Sequence, residues 1–374
     1  MKEFISGSFI SQKGYKSFQP TKINRQWNID NMELLSLLSQ ADRQIGRLDM
    51  YSEYIPNIDL FIGMHVLKEA TKSSKIEGTK TNIEDALLNK EDLNEGKRDD
   101  WQEVQNYIAA LNSAISNLEK LPLSSRLIKH THKLLLKGVR GKHKLPGEFR
   151  SSQNWIGGAN INDATFIPPN HISIGDYMSD LEKFVHNNDF HFPDLLKIAL
   201  IHYQFETIHP FLDGNGRVGR LIITLYLVER SILKRPILYL SDFFEKNRML
   251  YYDNLTRVRE KNDILQWFKF FLVGVIETAK NSVNTFDNIL KLQKEVELKI
   301  QKLGSRSNNA QTLINHLFQN PVIEAQKAKE LTGLSMPSVY KLIDELERLK
   351  ILNEITGAKR GKLYIFKDYI SLFN

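Results

Sequence analysis

The chain has 374 residues, with 51 Lys+Arg against 44 Asp+Glu and a net charge of +7. At roughly 150 residues per domain that length implies two or three domains, and 41% hydrophobic with 25% charged residues is globular composition, which argues against disordered and fibrous classes. Zero cysteines exclude a disulfide scaffold, cysteine-ligated zinc, iron–sulfur clusters and cysteine catalysis, while the mild positive balance permits an anionic partner without demanding one.

The N-terminus, MKEFISGSFISQKGY, has no basic stretch followed by a long apolar run, so no signal peptide is expected. Apolar runs such as 221–228 fall far short of the ~20 residues that span a bilayer. A soluble cytoplasmic protein with no membrane partner is the expectation. Helical spacing then takes over. Asp30 with Glu33 has the form of a capping box, followed by Leu34, Leu38, Ala41, Ile45 and Leu48 on one face. A second helix is expected over 58–77, with Phe61, Met64, Leu67 and Ala70 aligned and Gly78 as its C′ residue. The polar stretch 89–100 reads as a surface connection, and a third helix starts at Trp101 and carries Val104, Ile108, Leu111, Ile115 and Leu118. Another covers 127–136. Over 146–169 the period changes, and Gly157-Gly158 between two β-like runs predicts a hairpin. Helices resume over 174–185, 194–209, 217–230, 247–259 and 263–303, and 304–309 (GSRSNN) reads as a linker. Beyond it come helices over 310–318 and 325–331, a turn at 332–334, and a helix from Ser335 to about 350. Two short strands, 352–355 and 363–366, complete a helix–turn–helix with a hairpin, the winged-helix order.

The chemistry concentrates in 209–220, HPFLDGNGRVGR. A glycine-containing loop feeds a strongly helical stretch, so free backbone N–H groups and the positive end of the helix dipole form an anion site. Arg217 and Arg220, three apart, share the face of the first turn and could both reach phosphate. Asp213 beside phosphates implies Mg²⁺, since two anions would otherwise repel. His209 has a side chain suited to general base work near neutral pH. There is no GxxxxGK[ST], and no strand precedes the loop, so neither a P-loop nor a dinucleotide fingerprint is present. Base, carboxylate, phosphate cradle and two arginines describe a nucleotidyl or phosphoryl transfer site.

These residues match HxFx(D/E)GNGRxxR at His209, Phe211, Asp213, Gly214, Asn215, Gly216, Arg217 and Arg220, and the chain thereby resembles Fic-domain proteins. The stretch ALIHYQFETI before the motif and the hairpin of 147–169 are similar to the helix and flap of that family, and the likeness covers about 101–278. With the linker and the winged-helix order read from the pattern, the resemblance gives a mainly α fold divided as 1–100, an N-terminal helical region with an inhibitory helix; 101–285, the Fic core; 286–309, a connecting helix and linker; and 310–374, the winged-helix domain. It implies transfer of AMP from ATP to a Tyr, Ser or Thr hydroxyl of proteins, the enzyme itself included, with pyrophosphate leaving. On it His209 is the base, Asp213 holds Mg²⁺, Gly214, Asn215 and Gly216 form the anion hole, and Arg217 and Arg220 bind the β- and γ-phosphate regions. Phe211 packs and orients the loop, and the flap aligns the target segment by strand addition.

Ser73-Ser74-Lys75-Ile76-Glu77-Gly78 fits the family's inhibitory pattern (S/T)xxxE(G/N) at Ser73, Glu77 and Gly78. Glu77 would then pair with Arg220 and take the γ-phosphate's place. Asn247 and Tyr252, with Tyr251 behind, are the expected adenine contacts, an aromatic face suiting a purine. His202 with His209, and His130 with His132, lack a supporting ligand cluster and are not read as metal sites. Trp155 is expected to anchor packing in the flap. In the C-terminal module Ser335, Pro337, Ser338 and Lys341 open the recognition helix, and Lys359, Arg360 and Lys362 lie in the wing, where phosphate contact is open to them. Eight basic against six acidic side chains over 328–374 leaves DNA and protein, including a homodimer, open as partners. Removal of AMP by the same site, and a nucleotide-sensing DNA-binding regulator, are the alternative functions.

Overall fold

The computed structural model describes residues 4–55, 58–357 and 361–373. It opens on an antiparallel hairpin, β1 (Gly7–Ser11) and β2 (Lys16–Pro20), which the sequence analysis did not anticipate. Its outer strand leaves Phe9 and Ile10 exposed, so no clean alternation announces it. The inner strand buries Phe18, whose N–H donates to the Ile167 carbonyl and whose ring packs against Phe166. The hairpin thus backs the later flap.

Helices build most of the rest. α1 (Met32–Tyr54) starts after Asn31, whose side chain accepts from the Leu34 N–H, so the cap lies one residue beyond the capping-box reading. Its stripe Leu34, Leu38, Ala41, Ile45 and Leu48 is buried as the spacing requires. α2 (Asp59–Ile76) ends at Glu77, and Gly78 follows at φ +100°, a backbone that suits glycine. After α3 (Ile83–Leu87) come α4 (Arg98–Leu118) and α5 (Ser125–Leu135). α6 (Ile174–His186), α7 (Asp194–Ile208) and α8 (Asn215–Glu229) follow the flap. α7 and α8 are buried on nearly every side and form the centre, with polar groups such as Glu206, Arg217 and Arg220 enclosed among their apolar residues. α9 (Ser241–Lys246) and α10 (Arg248–Lys261) lead into α11 (Ile264–Ile300), 37 residues long, which packs along α1.

Two expectations need correction. The segment 146–169 is not a two-stranded ribbon. It closes through one antiparallel bridge, Ile156 to Phe166, around a 3₁₀ turn at Ile161–Asp163. Pro168 and Pro169 cannot donate to a longer ladder, and Gly157 and Gly158, both at φ +72°, turn the chain at once. Nor is 304–309 a loose linker. Gln301–Arg306 is a 3₁₀ turn broken only at Gly304 (φ 58°, ψ −124°), and α12 (Ser307–Gln319) starts immediately after.

The C-terminal elements are α12, β3 (Val322–Glu324), α13 (Ala325–Thr332), α14 (Met336–Arg348), β4 (Asn353–Glu354), β5 (Leu363–Ile365) and α15 (Lys367–Ser371). β3, β5 and β4 form an antiparallel sheet in that order, β3 being a strand not expected from sequence. Lys359 and Arg360 lie outside the described residues. α12 packs on α2 through Phe61 and Phe318, whose rings meet edge to face at 5.5 Å. Among the described residues no helix is long and apolar enough to cross a membrane.

Candidate active site

The loop between α7 and α8 is tied to itself and to three neighbours. Asn215 accepts from the Phe211 N–H and donates to the Phe211 carbonyl, both at 2.8 Å, closing the five-residue turn. Asn154 of the flap donates to the same carbonyl at 2.9 Å. Phe211 is fully buried and stacks on His132 with ring centroids 3.8 Å apart. It therefore positions the loop from within the core and has no surface to offer a ligand. His132 Nδ1 accepts from the Gly147 N–H, which leaves Nε2 to donate to the Asp213 carbonyl at 2.9 Å. Burial holds its ring neutral, with a pKa pushed down to about 4.

Gly214, at φ +76°, is the N-cap, and the helix begins at Asn215, two residues before the expected Arg217. Gly216 enters the first turn at little cost, because first-turn N–H groups have no intrahelical partner anyway. The carboxylate of Glu77 lies against Gly216 in that turn. A Cβ on Gly216 would lie 2.2 Å from Glu77 Oε1, so only glycine lets the anion come so close.

His209 caps the C-terminus of α7 in the left-handed region, at φ 49° and ψ 61°. Arg150 holds it there. The Arg150 guanidinium donates to the carbonyls of His209, Ser152 and Pro169, and its own N–H donates to the Pro210 carbonyl. Burial, then the charge of Arg150, pushes the His209 pKa down to about 4, against the pull of the Glu206 carbonyl and the Glu77 carboxylate. The imidazole is thus neutral near pH 7, the form a general base requires.

Arg220 is buried and reaches across to α2. Its Nε donates to Ser73 Oγ at 2.8 Å, and its Nη2 donates to the Ser73 carbonyl at 2.9 Å and to Glu77 Oε1 at 2.7 Å. Shielding raises the Glu77 carboxyl, but Arg220 and then Arg217 outweigh it and hold the group below the usual range. Arg217, also buried, pairs with Glu103 of α4 at 2.9 Å and lies 3.6 Å from Asp213. Asp213 keeps a side chain 41% exposed, with Oδ1 taking the Gly214 N–H. Among the described residues no group of three ligands for a metal is assembled. A lone open carboxylate still fits Mg²⁺, which takes one or two carboxylates and fills its shell with phosphate oxygens and water.

The adenine candidates divide. Tyr251 is buried, with its hydroxyl bonded to His202 Nε2 at 2.8 Å and its ring stacked on Phe244, so it is a core residue. Tyr252 is 39% exposed beside Arg220 and Glu77, and Asn247 is partly buried at the α9–α10 junction with its amide bonded to the Phe243 carbonyl. Trp155, expected to anchor packing, is instead 41% exposed on the flap. Sequence reasoning missed His132, Arg150, Asn154 and Glu103, the residues that hold the loop. It also missed Glu206, which lies where a Cβ on Gly219 would strike its Oε1 at 2.2 Å and whose pKa burial pushes up to about 7. For Glu103, His132 and Glu206 the only sequence signal was polarity inside helical stretches, and Arg150 and Asn154, in the flap, carried none.

Two family descriptions match the chain: Fic/DOC family N-terminal over 35–116, and Fic/DOC family over 122–227, together just over half of it. A probable protein adenylyltransferase of Aquifex aeolicus is 26% identical over 240 residues, 62% of this chain and 65% of the relative. A protein adenylyltransferase Fic of Aedes aegypti is 28% identical over 186 residues, 49% of this chain and 33% of the relative. The chain thus spans less than two thirds of the relatives it matches. Among solved structures, a Fic family protein from Desulfovibrio desulfuricans superposes with TM-score 0.57 at 19% identity, covering 91% of this chain and 98% of that one. Fic-1 from C. elegans superposes with TM-score 0.51 at 16% identity, covering 70% and 75%.

Proposed function

The chain belongs to the Fic/DOC family, and from that premise we propose that it is a self-inhibited protein adenylyltransferase. The observation that carries the reading is the Glu77 carboxylate seated on Arg220 over Gly216, an anion lodged where a nucleotide phosphate would lie. The resemblance to named adenylyltransferases supports AMP as the group moved.

In the reaction the neutral His209 takes the proton of a protein hydroxyl. The hydroxyl oxygen attacks the α-phosphorus of ATP, the bond from that phosphorus to the β-phosphate oxygen breaks, and pyrophosphate leaves. Once Glu77 has left, the N–H groups at the start of α8 and the Arg220 guanidinium stabilise charge on the phosphate oxygens, which is where such transfers gain most of their rate. Asp213 would hold Mg²⁺, which when bound neutralises phosphate charge. Arg217 approaches the phosphates only by sharing itself with Glu103. Exposed Trp155 and the open edge of the flap suit a target segment lying alongside. We read the C-terminal unit as a winged helix, with its exposed Tyr340 and Lys341 on the partner face of α14.

Incubation with ATP labelled on the α-phosphate, with lysate present, tests the reading. Label should appear on protein and be lost in His209→Ala with the fold intact by circular dichroism. Undiminished labelling by that variant would remove His209 as the base.

A further inference from the structure

Behind α2 lies a small cleft open to solvent. Its walls come from α2, the α9–α10 junction, α11 and Phe373 near the C-terminus. Two of its lining residues, His65 and Tyr239, each carry a buried polar atom without a hydrogen-bond partner, His65 Nε2 and the Tyr239 hydroxyl. The residues are only 6% and 7% exposed. Burying a polar atom without a partner is unfavourable, so both atoms are poised for an incoming group.

The cleft is lined by Lys68 and Lys246 with Asp242, Glu69 and Glu277, and lysines outnumber carboxylates only around Asp242. Lys68, Lys72 and Lys246 all turn to the one carboxylate of Asp242, at 3.5, 3.1 and 2.8 Å. Glu245 takes Lys75 at 2.8 Å and stands 3.8 Å from Lys72. Of the lining acids, Glu277 is exposed at the rim, and Glu69 is already held by Tyr107 and Ser241. Lys68 on α2 and Lys246 beside α10 face the cleft from opposite helices.

We propose that this cleft binds a small organic anion, and that its occupancy tightens the hold of Glu77 on Arg220. The proposal rests on the reading of Glu77 as the inhibitory group. An anion received by Lys68 and Lys246 joins α2 to α9 and leaves its body against Phe373, His65 and Asn281. The site is formed with Glu77 already engaged, so a ligand that fits it favours that arrangement over any in which α2 has moved. A buried path runs from the cleft to the lock. Glu69 accepts from the Tyr107 hydroxyl at 2.8 Å, Tyr107 lies beside Ser73, and Ser73 holds Arg220.

The lack of cysteine makes the test direct. Asn281→Cys places one thiol in the cleft, and Lys280→Cys places one on the exposed neighbouring position of α11. Each is labelled with sulfonatoethyl methanethiosulfonate or with its trimethylammonium counterpart. Hydrogen exchange of the amides over 73–79 is then followed by mass spectrometry. The sulfonate adduct at 281 should slow that exchange at least threefold relative to the unlabelled variant, whereas the ammonium adduct at 281 and the sulfonate adduct at 280 should not. Equal exchange in all four, or an ammonium adduct as effective as the sulfonate, would overturn the proposal. The readout needs no catalysis. If Glu77→Gly transfers no AMP, the functional reading fails by itself while the exchange experiment still decides the cleft.

Discussion

Replacing Glu77 with glycine removes the carboxylate that Arg220 bonds, at 2.7 Å, and leaves both of its bonds to Ser73. Glu77 caps the C-terminus of α2, where the helix dipole disfavours a negative charge, so the helix itself loses nothing by the change. The loss is confined to the lock. A hydrogen bond to a charged group contributes about 1.5–3 kcal/mol. The Glu77 side chain is 32% exposed, so solvent screening places this one in the lower half of that range. About 1.5–2 kcal/mol corresponds to a rise of roughly 10–30-fold in the fraction of open sites. AMP transfer from labelled ATP at subsaturating nucleotide should rise by that factor in Glu77→Gly. Glu77→Gln, which keeps the size and loses the charge, should fall between the two. Equal rates in wild type and Glu77→Gly would refute the argument that the carboxylate and a phosphate compete for one place.

The same competition predicts that ATP with Mg²⁺ raises Tm more in Glu77→Gly than in the wild type, read by differential scanning fluorimetry, because the variant leaves Arg220 buried and short of an anion. His132→Ala removes the stack on Phe211 and both loop hydrogen bonds, and should lower stability by roughly 2–4 kcal/mol in urea unfolding together with kcat. For pH, four histidines are held neutral: His65 and His202 near 3, His132 and His209 near 4, against an ordinary 6.5. The unfolded chain binds more protons below 6.5, so this stability is fully present above that pH and is lost as pH falls toward 4. Glu206, raised to about 7, works the other way between 4.5 and 7 but offsets only one group. Tm should therefore drop steeply from pH 6.5 to 4, and a flat profile there would contradict the buried-histidine assignment.

Helix positions were readable because apolar residues recur at a fixed interval, and α2, α7, α11 and α14 fell within a few residues of expectation. The motif loop was readable because glycines before a helix have few other uses. What stayed hidden depended on long-range pairing. Arg150 lies 59 residues from His209, and Glu103 lies 114 from Arg217, so no local pattern reports either. Tyr251 shows the converse: an aromatic beside an exposed one, indistinguishable in sequence, turned inward to meet His202. The flap misled because alternation predicts strands but does not reveal that prolines and left-handed glycines cut the ladder to one bridge.

The 37 residues of α11 make a rod of about 55 Å, at ~1.5 Å per residue. One end is fixed among α1, α7 and α10, while the other stops at the Gly304 corner beneath the C-terminal elements. Such a rod converts angle into distance: a tilt of about 5° at the rooted end carries the far end roughly 5 Å, the height of one helical turn. The C-terminal unit does not swing freely at that far end, because Phe318 holds it against Phe61 of α2, so the helix that carries Glu77 and the end of the rod share one contact.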